Sequence, residues 1–273
     1  MNKLWKDFQR LSVDCYTHMI SNNPDRTVWN QAFDTLVGAI KGERDKNPDF
    51  GKEFYQVDET TDFEYGVEDW LLDYLDELGA GGLHEKRCQV CDTIIGLFAW
   101  KEQSPADFMF EKSSALSAMG RADEAVALCE KWYQDEPESQ LSAAALIYAR
   151  INAEDYAGAE QIVEKYVSKG DKCTDDTELV YRAAVRLYEA KGDEKTAEQM
   201  KKTLEKYDDE IERELMEEFE ELPFCDGFGD FFDEDFDDED FDDEDFDDED
   251  FDDADFEGED SDDEADIDVL PFQ

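Results

Sequence analysis

The amino-acid sequence predicts an all-α protein, and three observations support this fold class. Apolar residues recur at steps of three and four, as in Trp29, Phe33, Leu36 and Ile40, which places them on one face of a helix. No stretch alternates polar and apolar residues in the manner of a half-buried strand. Gly and Pro fall between the periodic segments, where helices end. We therefore expect a set of helices joined by turns.

The periodic segments form five predicted helix pairs, with a polar and aromatic segment after the first pair. Loops as long as that segment are uncommon inside a compact unit. We therefore predict an N-terminal helical hairpin (1–43), a connection (44–65), a helical array (66–219) and a disordered acidic tail (220–273). The predicted pairs are 2–20 with 28–43, 66–78 with 83–100, 106–119 with 122–135, 138–152 with 155–169, and 177–191 with 193–219.

A small residue repeats in the later pairs. Ala125, Ala159 and Ala197 each stand early in the second helix of a pair, at intervals of 34 and 38 residues. A helix–turn–helix unit of about 34 residues has the period of the tetratricopeptide (TPR) repeat. An Ala at the crossing of two helices lets their backbones approach. Each such unit must also stack on the next, because it cannot bury its apolar face alone.

The chain resembles the TPR family at the residues that define the repeat. Gly120 stands five residues before Ala125 and Pro137 stands twelve after it, as in the family pattern. Tyr156 holds the family's aromatic position, three residues before Ala159. The resemblance implies a short TPR-like α-solenoid of antiparallel helix pairs, with a concave groove that binds a segment of another protein.

The sequence also departs from the family pattern. Glu154 stands where the family has Gly, Asp171 replaces the closing Pro, and Lys201 occupies a position that the family gives to an aromatic residue. Residues 66–105 resemble a more divergent unit, and residues 1–65 do not carry the resemblance. An ordinary helical bundle containing the same helices is the alternative to a solenoid.

The TPR resemblance also implies where a partner would bind. In that family the first helix of each unit faces the groove, so side chains on those helices are the candidates. For each of them taken singly, ordinary packing is the alternative. The candidate groove residues are Phe108, Ser113, Tyr148, Arg150, Tyr181 and Arg182.

An acidic and aromatic repeat occupies the end of the chain, where FDDED occurs three times and FDDAD follows. Phe residues five positions apart are about 140° apart around a helix and alternate between the faces of a strand. The carboxylates repel one another, so we expect disorder. The tail residues predicted to contact a partner are Phe236, Phe241, Phe246, Phe251 and Phe256.

The charge of the chain limits the classes of partner that it can bind. With 78 Asp and Glu against 26 Lys and Arg, the formal net charge is −52. This charge favours a basic protein partner and disfavours direct binding to nucleic acid or to an anionic membrane. We therefore predict a scaffold or adaptor protein with a polyanionic arm. The alternative is a chaperone or nucleic-acid mimic that acts through the FDDED repeats on basic nucleic-acid-binding proteins. A further alternative is that the tail is a solvated charged segment that only keeps the protein soluble.

Two patterns of metal ligands have weaker support. Residues 253–264 partly fit an EF-hand loop, but Asp260 stands where an apolar residue anchors such loops, so we predict only weak calcium association with the tail. His84, Cys88 and Cys91 can share one helix face, but no second pair of ligands follows at a zinc spacing. We interpret these three residues as packing, and we predict no cofactor.

The sequence gives little basis for an enzyme. His18 and His84 are its two histidines, and it contains no phosphate-binding Gly loop, G-x-S-x-G or H-E-x-x-H motif. Its N-terminus lacks the apolar region of a signal peptide, and no apolar run reaches the roughly 18 residues of a membrane span. We therefore expect a cytoplasmic protein with reduced cysteines.

Overall fold

The structure is a computed structural model that describes residues 2–21, 23, 25–167 and 172–221. Over these residues it contains eleven α-helices and no strand, which confirms the all-α prediction. None of the helices in these ranges is both long and apolar enough to cross a lipid bilayer. The helices are α1 (Lys3–Ile20), α2 (Thr27–Arg44), α3 (Tyr55–Thr60), α4 (Val67–Ala80), α5 (His84–Leu97), α6 (Ala106–Ala118), α7 (Ala122–Asp135), α8 (Gln140–Asn152), α9 (Tyr156–Tyr166), α10 (Glu178–Ala190) and α11 (Glu194–Glu221).

The predicted helices are all present, and their bounds differ from the observed ones by a few residues. Helix α5 ends at Leu97 because Phe98 turns to an extended backbone and buries its ring. Helix α3 has no counterpart among the predicted helices, because a helix of six residues is too short to show an apolar period. The acidic tail from Leu222 onward lies outside the described residues.

A cluster of rings fills the first core, which we call the aromatic core (Trp5, Phe8, Trp29, Phe33, Trp70 and Tyr74, with neighbouring aliphatic residues). Trp70 is its centre. The ring centroid of Trp70 lies 5.0 Å from that of Phe8, 5.6 Å from that of Trp29 and 5.4 Å from that of Tyr74. These contacts join α1, α2 and α4, so the N-terminal hairpin packs directly on α4.

Polar side chains hold the segment 44–65 in place. The Arg44 guanidinium donates to the carbonyl oxygen of Phe50 at 3.1 Å and to that of Leu97 at 2.6 Å. The Asp58 carboxylate accepts from the backbone N–H groups of Val67 at 2.8 Å and Glu68 at 3.0 Å. These bonds satisfy backbone groups that α4 and α5 leave open at their ends.

Alanine is the commonest residue of the second core, which we call the alanine-rich core. It lies along α6 to α11, and its members include the three alanines that define the repeat. Ala125 and Ala159 are 0% exposed and Ala197 is 3% exposed. Helices α6, α8 and α10 contact one another in sequence, α7 contacts α6 and α8, and α9 contacts α8 and α10. Helix α11 packs on α10. Contacts in this region are thus made mainly between near neighbours along the chain.

Four helix pairs share the same turn. Its central residue adopts a left-handed backbone, with φ of 66° at Gly82, 71° at Gly120, 58° at Glu154 and 73° at Gly192. The next residue donates its N–H to a carbonyl five positions earlier, which satisfies the end of the first helix. Glu154 therefore adopts the geometry of the glycines that it replaces. These four bonds are Leu83 to Leu78 (2.8 Å), Arg121 to Leu116 (2.9 Å), Asp155 to Arg150 (2.8 Å) and Asp193 to Tyr188 (2.9 Å).

Candidate protein-binding groove

Two adjoining depressions meet at the side chain of Tyr148 on α8. The first, with a volume of about 400 Å³, lies between α6 and α8. The second, with a volume of about 350 Å³, lies between α8, α10 and α11. We call the two depressions together the Tyr148 groove. The first is lined by Phe110, Ser113, Ser114, Ser117, Ala118, Tyr148, Ala149 and Asn152, and the second by Tyr148, Arg182, Val185, Arg186, Lys201, Leu204, Glu205 and Asp208.

Helix register explains the first depression. Phe110, Ser113, Ser114 and Ser117 recur at steps of three and four, so they lie on one face of α6. The serines and Ala118 are small, which leaves space between α6 and α8. The Phe110 ring meets the Tyr148 ring edge to face, with centroids 6.3 Å apart and planes at 83°. The depression therefore has hydroxyl groups on one wall and an aromatic pair at its end.

Charged side chains surround the second depression. Arg182 Nε lies 2.6 Å from an oxygen of Glu178, and its Nη2 lies 3.1 Å from an oxygen of Asp208. Burial raises the pKa of the Tyr148 hydroxyl, and the positive charges of Arg186 and Arg182 oppose part of this rise. Tyr148 is therefore protonated at neutral pH, and its hydroxyl can donate a hydrogen bond to a ligand.

Apolar side chains form the floor of the second depression. Val185 and Leu204 are each 7% exposed. At the edge, Glu189 of α10 joins α10 to α11, because its carboxylate lies 2.7 Å from Nζ of Lys201 on α11. The same carboxylate lies 3.1 Å from Nη1 of Arg186 on its own helix. An apolar floor beneath a charged edge suits the burial of one side chain of a peptide, with polar contacts around it.

Three of the six predicted groove residues line the Tyr148 groove: Ser113 and Tyr148 in the first depression, and Tyr148 and Arg182 in the second. Ser113 is 5% exposed, and its Oγ donates to the carbonyl oxygen of Phe110 at 2.8 Å. Tyr148 is half-buried and Arg182 is exposed. The structure thus brings residues of α6, α8 and α10 to one surface.

The other three predicted residues lie elsewhere. Phe108 is 3% exposed and packs in the aromatic core, where its ring centroid lies 5.3 Å from that of Phe54. Tyr181 is 2% exposed and belongs to the alanine-rich core. Arg150 forms an ion pair with Glu130 at 2.9 Å. The five tail Phe residues lie outside the described residues.

A closer use of helix geometry would have found more of the lining. Phe108 and Ser113 are five positions apart, so on an ideal helix they are about 140° apart and cannot share a face. Phe110 shares the face of Ser113, and Asn152 shares that of Tyr148. The missed signal was the three-to-four spacing of small and hydroxyl side chains on α6. The contribution of α11 had no comparable local signal.

The three possible zinc ligands lie on α5 without forming a metal centre. Cys88 is 6% exposed and Cys91 is 0% exposed, and both are free thiols. Burial raises the pKa of Cys91 to about 12, which disfavours the thiolate that would bind a metal. Within the described ranges, no group of three or more His, Cys, Asp or Glu residues is arranged to hold a metal ion. The EF-hand-like segment 253–264 lies outside those ranges.

Comparison with known proteins gives no assignment for this arrangement. No protein-family model, no curated protein and no solved structure matches the chain.

Proposed function

We propose that this protein is an interaction scaffold that holds a segment of a partner protein in the Tyr148 groove. The observation that carries the proposal is the groove itself, which runs across the first helices of successive pairs (α6, α8 and α10). Peptide-binding helical repeats use such surfaces, because stacked units form an extended concave face.

The repeated turn supports a TPR-like arrangement of these helices. Gly82, Gly120, Glu154 and Gly192 adopt the same left-handed backbone, each between the two helices of a pair. Contacts that run from each helix to its near neighbours support an arrangement of units stacked along an axis. We therefore propose that α4 to α11 form a short TPR-like solenoid, in which α4 and α5 are a divergent first unit.

The lining of the groove supports a peptide ligand of mixed character. The hydroxyl groups on α6 and the Tyr148 hydroxyl can bind the main chain of an extended segment. Val185 and Leu204 can cover one of its apolar side chains. Arg182 and Lys201 stand at the edge, where they can pair with its acidic groups. We propose that an extended peptide crosses both depressions at Tyr148.

The acidic tail is proposed to serve a basic partner. With a formal net charge of −52, the chain attracts positively charged proteins over a distance and raises their concentration nearby. In this proposal the groove supplies shape and the tail supplies long-range attraction. If extended, an FDDED repeat carries one charge per about 4 Å, close to the one per about 3.4 Å of a single DNA strand. This charge spacing favours the second candidate, in which a chaperone or nucleic-acid mimic acts through the tail alone.

A matched pair of variants tests the groove. Ala118 and Ala157 are both exposed on helices, but only Ala118 lines the groove. Peptides selected from a random library against the full chain should bind Ala118→Arg at least about tenfold more weakly than the wild type, because the long side chain fills the depression. Ala157→Arg should bind them normally, as measured by fluorescence anisotropy. Equal affinity for both variants would show that the groove is not the site.

Deletion of residues 226–273 separates the two candidate functions. If the selected peptides still bind at physiological salt after this deletion, the groove is the principal site. If binding disappears, the tail is the active part and the second candidate holds. A salt titration adds an independent readout, because binding to a polyanion weakens steeply as the ionic strength rises.

A further inference from the structure

An exposed aromatic side chain follows helix α3. Phe63 is 69% exposed, and within the described part of the chain it is the only aromatic residue among the exposed large apolar side chains. Asp62 and Glu64, its neighbours in the chain, are also exposed. A ring that lies mostly in solvent adds little to the aromatic core, so packing does not account for a Phe at this position.

The backbone of this turn is unusual for the residues that form it. Asp62 and Phe63 both adopt left-handed conformations, with φ of 55° and 57°. The repeated turn inside each of the four later helix pairs has one left-handed residue at its centre, which is Gly in three of the four. A left-handed conformation is uncommon for a bulky residue and costs free energy. Neither the backbone nor the core thus favours Phe here.

The surroundings fix the turn while leaving the ring in solvent. The Phe63 N–H donates to the carbonyl oxygen of Asp58 at 2.8 Å, and the Asp58 carboxylate caps the start of α4. On the other side, the Tyr65 ring stacks on Trp5 with centroids 4.8 Å apart. The backbone at Phe63 is therefore held between two anchored residues, Asp58 and Tyr65.

The same short sequence occurs again in the tail. Asp62, Phe63 and Glu64 form the tripeptide Asp-Phe-Glu, which recurs at 255–257. The closely similar Asp-Phe-Asp occurs at four further positions in the tail. The folded body thus presents, in one fixed turn, the acidic–aromatic–acidic unit that the tail repeats. The four Asp-Phe-Asp units are 235–237, 240–242, 245–247 and 250–252.

We propose that Phe63, with Asp62 and Glu64, is a docking point for a basic partner protein that carries an apolar pocket between Lys or Arg side chains. The ring enters the pocket, and the cationic groups stack on the ring and pair with the two carboxylates. Because the turn is already ordered, docking loses little conformational entropy here. The inference rests on the proposed basic partner, and it is independent of the Tyr148 groove.

The test uses the full chain and two synthetic probes of equal positive charge. One probe alternates Arg with Leu, and the other alternates Arg with Ser. The five tail Phe residues are first replaced by Ser, which removes the ring from every Asp-Phe-Asp and Asp-Phe-Glu unit other than that of Phe63. In this background, Phe63→Ser should weaken binding of the Arg–Leu probe by about 3- to 10-fold and leave the Arg–Ser probe unchanged. Ile20→Ser, which removes an apolar side chain that is 80% exposed and has no acidic neighbours, should change neither affinity.

Two more substitutions separate docking from folding. Phe63→Asn should weaken Arg–Leu binding as Phe63→Ser does while leaving Tm unchanged or raising it, because Asn adopts the left-handed conformation more readily. Phe63→Trp should retain the affinity. The inference is overturned if Phe63→Ser alters both probes equally or alters neither. A separate result would contradict the proposed role of the tail. Binding of both probes would then stay unchanged when the tail Phe residues are replaced, and also when residues 226–273 are deleted.

Discussion

Stacked rings dominate one core of this protein, and alanine is the commonest residue of the other. In the aromatic core, Trp29, Trp70 and Tyr74 stack with centroids 5.4 to 6.0 Å apart. In the alanine-rich core, residues such as Ala144 and Ala159 are almost fully buried and bring helix backbones together. Large side chains fill the irregular spaces between α1, α2 and α4. Small side chains suit the region from α6 to α11, in which the same turn and the same close approach of two helices recur.

The two proposed binding surfaces also lie in differently packed regions, one beside the alanine-rich core and one beside the aromatic core. The Tyr148 groove lies in the regular region, where small side chains on α6 leave a depression beside α8. Phe63 lies in the irregular region, where buried polar groups such as Asp58 hold a turn with a strained backbone. Regular packing thus leaves a depression between helices, whereas irregular packing holds a turn that exposes a side chain.

The largest effect should come from removing the ring at the centre of the aromatic core. Trp70→Ala should destabilise the protein by about 3 to 5 kcal/mol, since it opens a large cavity. Trp132, 3% exposed in the alanine-rich core, has no ring stacked on it among the described residues. Trp132→Ala should therefore cost about 1 kcal/mol less, because ring pairs add to simple burial. Urea unfolding measures both, and equal losses would show that the stacked rings add nothing beyond burial.

The sequence was sufficient to predict ten of the eleven described helices and the buried small residues. Apolar steps of three and four located the helix pairs, and the interval between Ala125 and Ala159 identified two residues that are fully buried. Both signals are local or periodic, so one chain carries them without any knowledge of its tertiary structure. The left-handed turn at Gly120 was likewise marked by its residue type.

Contacts between distant residues could not be predicted in this way. Arg44 binds the carbonyl oxygen of Leu97, 53 positions away, and no spacing rule connects the two. The depression between α8, α10 and α11 depends on how three helices meet, which places Tyr148 near Arg182 and Leu204. Tyr181, adjacent to Arg182, is buried instead, because neighbouring residues on a helix point about 100° apart.

A smaller effect should follow from enlarging a helix crossing in the alanine-rich core. Ala159→Leu should destabilise the protein by about 1 to 3 kcal/mol, because the added atoms force α8 and α9 apart. Ala157, exposed on the same helix, provides the control, and Ala157→Leu should change stability by less than about 0.5 kcal/mol. Chemical denaturation of the two variants compares them directly. If Ala159→Leu were tolerated as well as the control, close helix approach would not explain the repeated alanine.

The smallest effect is a pH dependence that probes a thiol in each core. Burial raises the pKa of Cys91 in the aromatic core from 9.0 to about 12, and that of Cys129 in the alanine-rich core to about 11. A raised pKa means that the folded state holds the proton after the unfolded chain has lost it. The associated stability is therefore complete below pH 9. It is lost as the pH rises to about 12 for Cys91 and to about 11 for Cys129.

Replacing each thiol by Ala should remove its share of this alkaline loss. Between pH 8.5 and 10, the difference in stability between the wild type and either variant should shift in favour of the variant by about 1 kcal/mol. Urea unfolding at the two pH values measures this shift and cancels the contribution of other titrating groups. Similar shifts for Cys91→Ala and Cys129→Ala would mean that both thiols keep their protons in the folded protein up to pH 10. A shift for one variant alone would mean that the other thiol meets solvent, and that its core is the less closely packed of the two.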